Sequence, residues 1–207
     1  MALWGMESDF GRRAGDFPVL AALATLAYDG RRSALFRHEL LEALKIVDAG
    51  YVRAEAMTGS WAGAMGQNQF MPSSYLKYAV DYYGNGRPDI WTTLADVFAS
   101  TANYLARSGW RERETWGHRV VLPAGFTVPT TNDQMSKSRT AWQALGVRRA
   151  DGGVLPDGPE PALLVLPGGV TGPAFLGYQN YQVLLKWNRS TYFVLTVCQF
   201  AAQLAGN

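Results

Sequence analysis

The 207-residue sequence has one cysteine, two histidines and only 17% charged residues, and each scarcity excludes a class of protein. The single cysteine, Cys198, excludes an internal disulfide, and its apolar surroundings predict a buried thiol rather than a nucleophile. The two histidines, His38 and His118, are too isolated for a zinc site. The formal charge of +2 argues against nucleic acid as a partner, because nucleic-acid-binding domains carry strongly basic patches.

Long apolar runs and export signals are also missing from the sequence. No segment reaches the roughly 18 consecutive apolar residues that span a bilayer, and no charged region followed by an apolar one opens the chain. Because Met1 leads straight into an apolar helical pattern without a cap, we expect a mature fragment or a shortened chain that enters a helix partway. Its 48% hydrophobic content and its length still allow a substantial core.

Hydrophobic periodicity predicts a mainly helical α+β fold. Three segments carry apolar residues at helical spacing: 16–28, 33–50 with Ser33 as N-cap, and 92–109 with Thr92 or Thr93 as N-cap. The second of them has a broad apolar face, made of Leu35, Phe36, Leu40, Leu41, Leu44 and Val47. The apolar stretch 191–206 fits a strand or a helix by periodicity, and its length favours a helix.

From residue 116 the pattern changes to short apolar or β-branched runs bounded by Pro and Gly. The runs "HRVVLPAGF" and "EPALLVLPGG" predict strands, and "TNDQMSKSRTAWQALG" between them predicts a short helix capped by Thr131 or Asn132. We therefore expect 111–175 to form a small α/β lobe, inserted into a helical body made of 1–110 and 176–207.

Residues 59–75, "GSWAGAMGQNQFMPSSY", are rich in glycine, amides and small polar groups and carry no charge. Ser60 and the amides of residues 67–69 can donate and accept hydrogen bonds, which suits the hydroxyl and acetamido groups of a sugar. The alternative is a turn-rich connection whose amides satisfy its own backbone.

The segment "LWGMESDFG", residues 3–11, places Glu7 among Trp4, Met6 and Phe10. Desolvation by such neighbours raises the pKa of a carboxyl, which can then hold a proton near neutral pH and donate it. An exposed helical glutamate beside a core stripe is the other interpretation that these residues leave open.

The segment "WGMESDFG", followed about fifty residues later by "GSWAGAMGQNQFMPSSYLKYAVDYYGNGRPDIW", resembles the membrane-bound lytic transglycosylase B family, glycoside hydrolase family 103. The blocks "RRSALFRHEL" and "YQVLLKWNRSTY" match that family in the same order, so the resemblance covers nearly the whole chain. It implies a lysozyme-like helical fold, with the family's N-terminal helices missing here. It also implies cleavage of the β-1,4 bond between N-acetylmuramic acid and N-acetylglucosamine in peptidoglycan, without water, leaving a 1,6-anhydro-muramoyl end.

The resemblance also implies roles for individual residues. Glu7 aligns with the family's only catalytic carboxylate, which acts as acid and then as base. The nearby Asp9 would face another side of a helix and is no second carboxylate. The implied substrate contacts are Ser60, Gln69, Phe70, Met71, Asn188, Tyr192 and the pair Arg31 and Arg32. The arginine pair would meet carboxylates of muramoyl residues, unless it is a solvated helix start.

The loop "DYYGNGRPDIWT", residues 81–92, resembles an EF-hand calcium loop, with Asp81, Asn85 and Asp89 at positions 1, 5 and 9. Tyr83 at position 3 and Thr92 at position 12 are not the ligands that such a loop needs. We therefore expect calcium to be weakly bound or absent, and no cofactor to be required.

Taken with the resemblance, the sequence predicts a monomeric lytic transglycosylase acting on peptidoglycan glycan strands in the periplasm or cell envelope. It would reach a membrane only through an anchor that this sequence does not contain. Two alternatives remain: a hydrolytic, lysozyme-type muramidase with the same acid, and a catalytically silent peptidoglycan-binding module. Anhydro ends, reducing ends and binding without cleavage distinguish the three.

Overall fold

The computed structural model describes residues 1–128, 135–169 and 171–206. Its backbone divides into two compact units, Met1–Tyr104 and Leu105–Asn207. The predicted division, in which 111–175 is inserted into a body made of 1–110 and 176–207, stays a prediction. None of the helices in the described residues is both long and apolar enough to cross a membrane.

The first unit is mainly helical. Its helices are α1 (Ala2–Ser8), α2 (Val19–Asp29), α3 (Ser33–Asp48), α4 (Pro72–Tyr78) and α5 (Leu94–Arg107), with a 3-10 turn at Ala54–Ala56. Two short strands, β1 (Phe17–Pro18) and β2 (Thr58–Gly59), pair antiparallel, with Phe17 opposite Gly59. This pairing joins the segment after α1 to the start of the uncharged block.

Apolar side chains from several of these elements form the core of the first unit. The fully buried ones are Val19, Leu23, Ala43, Ile46, Met57, Met65, Ile90 and Val97. Burial of a side chain of the size of Leu, Ile or Met contributes about 1.5–3 kcal/mol relative to leaving it exposed. The helical periodicity of α2 and α5 therefore has the physical cause that the sequence predicted, since each of these helices buries apolar residues on one side.

The N-terminus of α3 differs from its prediction. Arg32, not Ser33, is the N-cap residue, and it has a left-handed φ of 59°. The hydroxyl of Ser33 donates instead to the carbonyl of Ala27 at 2.8 Å. The last carbonyls of a helix have no partner within it, and the tight turn after α2 brings one of them within reach of this hydroxyl. The predicted Ser33 cap is therefore wrong.

The rotation of α3 also differs from the prediction. Its buried residues are Glu39, Ala43 and Ile46. The carboxylate of Glu39 accepts hydrogen bonds from the backbone N–H of Ser73 at 2.9 Å and from its hydroxyl at 2.7 Å. Because Ser73 lies in the first turn of α4, whose N–H groups need acceptors, this buried contact turns Glu39 inward. Part of the predicted apolar face is consequently exposed: Leu35, Leu41 and Leu44.

The second unit combines an antiparallel sheet with helices. Its strands are β3 (Gly117–Val121), β4 (Ser136–Ser138), β5 (Arg148–Arg149), β6 (Pro161–Val165) and β7 (Ala174–Gly177), arranged in the order β4-β6-β7-β3-β5. Its helices in the described residues are α6 (Arg139–Ala144), α7 (Gln179–Trp187) and α8 (Thr191–Leu204). The predicted strands, the C-terminal helix and the mainly helical α+β class are confirmed.

The core of the second unit surrounds Trp142 of α6, which is fully buried and donates its indole N–H to the carbonyl of Ala162 at 2.8 Å. The cap of α6 is Ser138, whose hydroxyl accepts the N–H of Ala141. The predicted caps, Thr131 and Asn132, lie outside the described residues.

Candidate functional site

Glu7 lies on α1, one residue before its end, and is half-buried. Trp4 precedes it by three residues, so the indole and the carboxyl are neighbours on the surface of the helix. Leu3 and Ser8 are buried on the same short helix. The carboxyl therefore has an aromatic neighbour and only partial access to water, while its catalytic role stays a prediction.

The chain turns sharply directly after α1. Asp9, Phe10 and Gly11 have φ angles of 49°, 57° and 84°, which is a left-handed run of three residues. Left-handed backbone costs about 1–3 kcal/mol at a residue that carries a side chain, and it is least tolerated by a bulky one such as Phe10. The turn is held by the N–H of Gly11, which donates to the hydroxyl of Ser8 at 3.1 Å. Strain of this kind is concentrated at sites whose function depends on geometry.

The indole of Trp4 anchors α1 in the first unit. Its ring packs edge-on against Phe10 and Phe98, with centroids 5.3 and 5.1 Å away. Its Nε1–H donates to Oε1 of Gln67 at 2.8 Å. Edge-to-face aromatic pairs contribute about 0.5–1.5 kcal/mol each beyond their burial. The helix is thus fixed by two ring contacts and one polar contact, within one turn of Glu7.

The uncharged block, residues 59–75, ends in the first turn of α4. Its residues 59–71 form a compact series of turns against α1 and the segment that follows it. Met65 and Phe70 exchange backbone hydrogen bonds of 2.8 and 3.1 Å. A Cβ on Gly59 would lie 2.0 Å from the carbonyl oxygen of Ala64, so the close approach of these two strands of backbone requires glycine. The glycine content of the block therefore reflects its tight backbone packing.

Two of the amides in the block are internal residues. Gln67 is 8% exposed and Asn68 is 2% exposed. Gln67 accepts from Trp4, as described, and its Nε2 donates to the carbonyl of Trp91 at 2.7 Å. Asn68 donates from Nδ2 to the carbonyl of Val97 at 2.7 Å. Both amides thus bond to residues outside the block, so the interpretation that they satisfy the block's own backbone is wrong for them. Their burial leaves little of either side chain accessible to a sugar.

Gln69 and Ser60 lie in the same block but are only half-buried. Gln69 has a left-handed φ of 52°, and its Nε2 donates to the carbonyl of Ala14 at 2.8 Å. Ser60 accepts the N–H of Ala64 through its hydroxyl at 3.1 Å. The contact with Ala14 joins Gln69 to the segment that follows α1, so the structure brings Gln69 into the neighbourhood of the turn after Glu7.

The remaining predicted contacts of the first unit are placed differently from one another. Phe70 is buried, whereas Met71 is half-buried and is the N-cap residue of α4. Arg31 and Arg32 are both exposed in the turn between α2 and α3. The side chains of this turn are accessible to an anionic group, and the roles of all four residues stay predictions.

Asn188 and Tyr192 belong to the second unit, where they flank the turn between α7 and α8. Asn188 is the C-cap residue of α7, and its Oδ1 accepts the N–H of Ser190 at 2.9 Å. Tyr192 is exposed, and its hydroxyl donates to the carbonyl of Pro167. Both side chains thus have local hydrogen bonds that define their positions within this unit.

The loop 81–92 is closed by hydrogen bonds to two carboxylates, one within the loop and one four residues after it. Asp81 accepts the N–H of Gly86 at 2.7 Å. The fully buried Asp96 accepts the N–H groups of Tyr82 at 3.0 Å and Asp89 at 2.7 Å. Because Asp96 bonds to both ends of the loop, it holds them together without any additional ligand.

The carboxylate of Asp89 accepts hydrogen bonds on both oxygens. The backbone N–H groups of Trp91 and Thr92 donate at 2.9 Å, and the hydroxyls of Thr92 and Thr93 also donate to it. Burial raises the pKa of this carboxyl, but the hydrogen bonds from Thr92 and its neighbours outweigh burial and hold the pKa of Asp89 below its usual value.

The donor set of the loop fits calcium poorly. One oxygen of Asp81, Oδ1, is shielded from solvent and has no partner among the described residues, which is the single feature that suits a cation. Asn85, however, accepts the N–H of Arg87 at 3.3 Å, and Tyr83 and Thr92 still occupy positions 3 and 12. Across the described residues, no group of three or more His, Cys, Asp or Glu is arranged to hold a metal ion.

Two exposed aromatic residues, one just outside the block and one within it, were not predicted from the sequence. Phe17 and Trp61 are 51% and 65% exposed, and with small side chains of α2 they line a groove of about 320 Å³. Phe17 pairs with Gly59, and Trp61 follows Ser60 directly, so the groove adjoins the block. The sequence signal was the tryptophan in "GSWAG", a large ring in a run of small residues.

The first unit therefore combines a half-buried glutamate on an aromatic-anchored helix, a strained turn and an uncharged hydrogen-bonding block. Acid catalysis on a neutral, polar substrate requires features of this kind, and they make this part of the first unit the candidate site.

Comparison with known proteins gives the family. The sequence model described as Transglycosylase SLT domain matches residues 1–202, and the chain belongs to this family. Membrane-bound lytic murein transglycosylase B of Escherichia coli (strain K12) is 32% identical over 208 residues, which cover 97% of this chain and 55% of that protein. The chain thus spans just over half the length of this curated relative.

Solved structures are similar over the whole chain. SltB3 of Pseudomonas aeruginosa, in complex with NAG-anhNAM-pentapeptide, matches with a TM-score of 0.94 and 47% identity, covering 100% of this chain and 56% of that one. Slt35 of Escherichia coli, in complex with calcium, matches with a TM-score of 0.84 and 32% identity, covering 99% of this chain and 64% of that one. The predicted family and its lysozyme-like α+β fold are confirmed.

Proposed function

We propose that this chain carries the active site of a lytic transglycosylase. The substrate is the glycan strand of peptidoglycan, and the bond cleaved is the β-1,4 bond between N-acetylmuramic acid and N-acetylglucosamine. The proposal is supported by family membership and by the relative SltB3, which was solved with a NAG-anhNAM-pentapeptide. The uncharged lining of the block and the exposed aromatic groove suit such a substrate better than an anionic one.

The observation that carries the proposal is how the other carboxylates near the core of the first unit are used. The carboxylate of Asp9 is partly exposed and lies 4.0 Å from the guanidinium groups of Arg12 and Arg13. Glu39 is buried and bonds to Ser73, and Asp96 is buried and closes the loop 81–92. Glycosidases that use water or a covalent intermediate need two carboxylates at the bond. None of these three carboxylates is placed to act as a second catalytic group beside Glu7, which favours a reaction in which the substrate supplies the nucleophile.

Glu7 then acts twice. As an acid it donates its proton to the glycosidic oxygen, and the N-acetylglucosamine leaves as the bond to C1 of the muramoyl residue breaks. The acetamido oxygen of the same muramoyl residue stabilises the positive charge at C1. The Glu7 carboxylate next accepts the proton of the C6 hydroxyl, whose oxygen attacks C1 and closes the 1,6-anhydro ring. The proton returns to Glu7, so no water is consumed.

The other predicted contacts have assigned tasks in this proposal. Ser60 and Gln69 bind hydroxyl or acetamido groups around the reacting sugar, beside Met71. Arg31 and Arg32 meet lactyl or peptide carboxylates, for which exposed guanidinium groups are suited. For Asn188 and Tyr192, we propose contacts with the glycan strand within the second unit.

The proposal also covers cofactors and location. Acid and base catalysis by Glu7 needs no metal. Hydrogen bonds from the loop 81–92 to Asp96 hold the two ends of the loop together, as a bound calcium ion would. We therefore propose that calcium is not required, although Slt35 was solved in complex with it. We further propose that the protein acts in the cell envelope, where peptidoglycan is found. We also propose that it acts as a monomer.

The experiment that tests the acid compares Glu7→Gln with Asp9→Asn in the release of soluble fragments from peptidoglycan. Glu7→Gln keeps the shape and removes the proton, so the rate should fall by at least ~10²-fold, the low end of a general acid's contribution. Asp9→Asn removes a carboxylate two residues away, and asparagine tolerates the left-handed φ of 49°. It should keep most of the activity. A fully active Glu7→Gln variant would exclude Glu7 as the acid.

A further inference from the structure

Gln67 connects the helix of Glu7 to the loop 81–92 through three separate hydrogen bonds. Its Oε1 accepts the indole N–H of Trp4 at 2.8 Å, and its Nε2 donates to the carbonyl of Trp91 at 2.7 Å. Its backbone N–H donates to the carbonyl of Ile90 at 2.9 Å. Because the side chain is 8% exposed, none of these bonds can be exchanged for water without opening the unit.

The loop end of this connection is itself fixed. The indole Nε1–H of Trp91 donates to the carbonyl of Thr58 at 2.8 Å, and the hydroxyl of Tyr75 donates to the carbonyl of Pro88. Burial raises the pKa of Tyr75, so its hydroxyl stays a donor at every pH of interest. Gln67 therefore holds Trp4 against a rigid support.

The helix end of the connection leaves little freedom for Glu7. Trp4 and Glu7 are three residues apart on α1, so a rotation of the helix that frees the indole also moves the carboxyl. The turn after the helix approaches the same amide closely, because a Cβ added to Gly11 would lie 2.3 Å from Oε1 of Gln67. Trp4, before Glu7, and Gly11, after it, thus both lie against the side chain of Gln67.

We propose that Gln67 is a positioning residue for the transglycosylase reaction: it sets the position of the Glu7 carboxyl by holding the indole of Trp4. This inference rests on the proposed role of Glu7 as the acid. In this proposal Gln67 does not touch the substrate. It acts by keeping the carboxyl of Glu7 in the position from which it can donate its proton. A displacement of a catalytic group by about 1 Å can lower a rate about 10²-fold, so a small rotation of α1 suffices.

The test uses two variants, of which Gln67→Leu keeps the side-chain size and Trp4→Phe leaves a smaller aromatic ring. Gln67→Leu removes both side-chain bonds, and Trp4→Phe keeps an aromatic ring near Phe10 and Phe98 but loses the N–H donor. For folded protein, verified by circular dichroism and thermal unfolding, kcat on glycan strands should fall about 10- to 100-fold in Gln67→Leu, with KM changed less than about 3-fold. Asn103→Leu is the matched control, because it removes an amide that bonds at 2.9 Å to the carbonyl of Tyr78, which lies outside α1.

The double variant separates positioning from general loosening. If Gln67 acts through Trp4, the Trp4→Phe, Gln67→Leu protein should be no slower than the slower single variant, because both changes break one contact. The proposal would be overturned if the loss of kcat in the double variant were the product of the two single losses. It would also be overturned by a wild-type kcat in folded Gln67→Leu. If Gln67→Leu does not fold, Trp4→Phe with a wild-type kcat overturns it as well.

Two further measurements distinguish failure of this inference from failure of the proposed function. Glu7→Gln is assayed in parallel, and its wild-type turnover would show that the acid itself is misassigned. Hydrogen exchange of the Trp4 indole N–H, followed by NMR, needs no activity. It should be slow in the wild type and faster in Gln67→Leu, and equal rates in both would show that Gln67 does not hold Trp4.

Discussion

Replacing Gly11 by alanine tests the tight contact between the turn after α1 and Gln67. Alanine must adopt the φ of 84°, which costs about 1–2 kcal/mol for a residue with a Cβ. The new Cβ would also lie 2.3 Å from Oε1 of Gln67. That amide is held by two side-chain hydrogen bonds and cannot move freely, so relieving the clash costs about 1–3 kcal/mol more, as overpacking of interiors does.

We therefore expect Gly11→Ala to lower the free energy of unfolding by about 2–5 kcal/mol in urea denaturation. Gly30→Ala is the matched control, since Gly30 has a φ of 90° and no atom within 4 Å of the added Cβ. It should lose only the backbone cost of about 1–2 kcal/mol. Equal losses in the two variants would refute the claim that Gln67 is rigidly held.

Three other features of the molecule give predictions. Burial raises the pKa of the Cys198 thiol to about 12, so a thiol reagent at neutral pH should label it only after unfolding; labelling of the native protein would contradict this. Burial, followed by the nearby Arg149, lowers the pKa of His118 below 6.5, so the unfolded state binds a proton first as the pH falls. The free energy of unfolding should therefore decrease from about pH 6.5 towards the lowered pKa, and His118→Asn should flatten that part of the urea-unfolding profile. Finally, Trp61→Ala should raise KM for glycan strands about 2- to 10-fold through loss of an aromatic contact, whereas Tyr28→Ala, which removes an even more exposed ring outside the groove, should not.

The helices with strong periodicity were predictable because local spacing and burial agree in them. The segment 16–28 predicted α2, and the apolar stretch after residue 190 predicted α8, whose cap is Ser190. The β-branched runs bounded by Pro and Gly likewise predicted β3 and β6. In each case the local sequence contains the pattern that indicates the type of element, although the pairing partners of β3 and β6 come from other parts of the chain.

The details that failed depend on partners far away in the sequence. Ser33 is a sound N-cap by local rules, but its hydroxyl bonds to the end of the preceding helix. The rotation of α3 follows from Glu39 meeting Ser73, which lies 34 residues later. No local pattern contains such a pair, so the exposed leucines of α3 could not have been foreseen.

The candidate site was predicted from Glu7 and the uncharged block 59–75, and the structure places both in the first unit. The surroundings of the individual side chains were harder to predict. The amides at 67 and 68, however, have the same chemistry as Gln69, and only burial separates the internal pair from the half-buried residue. The hydrogen bond between Trp4 and Gln67 spans 63 residues and requires the folded unit to be seen.

The measurement that tests the central claim most directly is mass spectrometry of peptidoglycan fragments released by this chain in water enriched in heavy oxygen. If the C6 hydroxyl of the muramoyl residue is the nucleophile, the new ends are lighter than hydrolysis products by one water and carry no heavy oxygen, and Glu7→Gln releases none of them. Reducing ends that contain heavy oxygen would contradict the account, because they would show that water attacks C1 and that the protein is a hydrolytic muramidase.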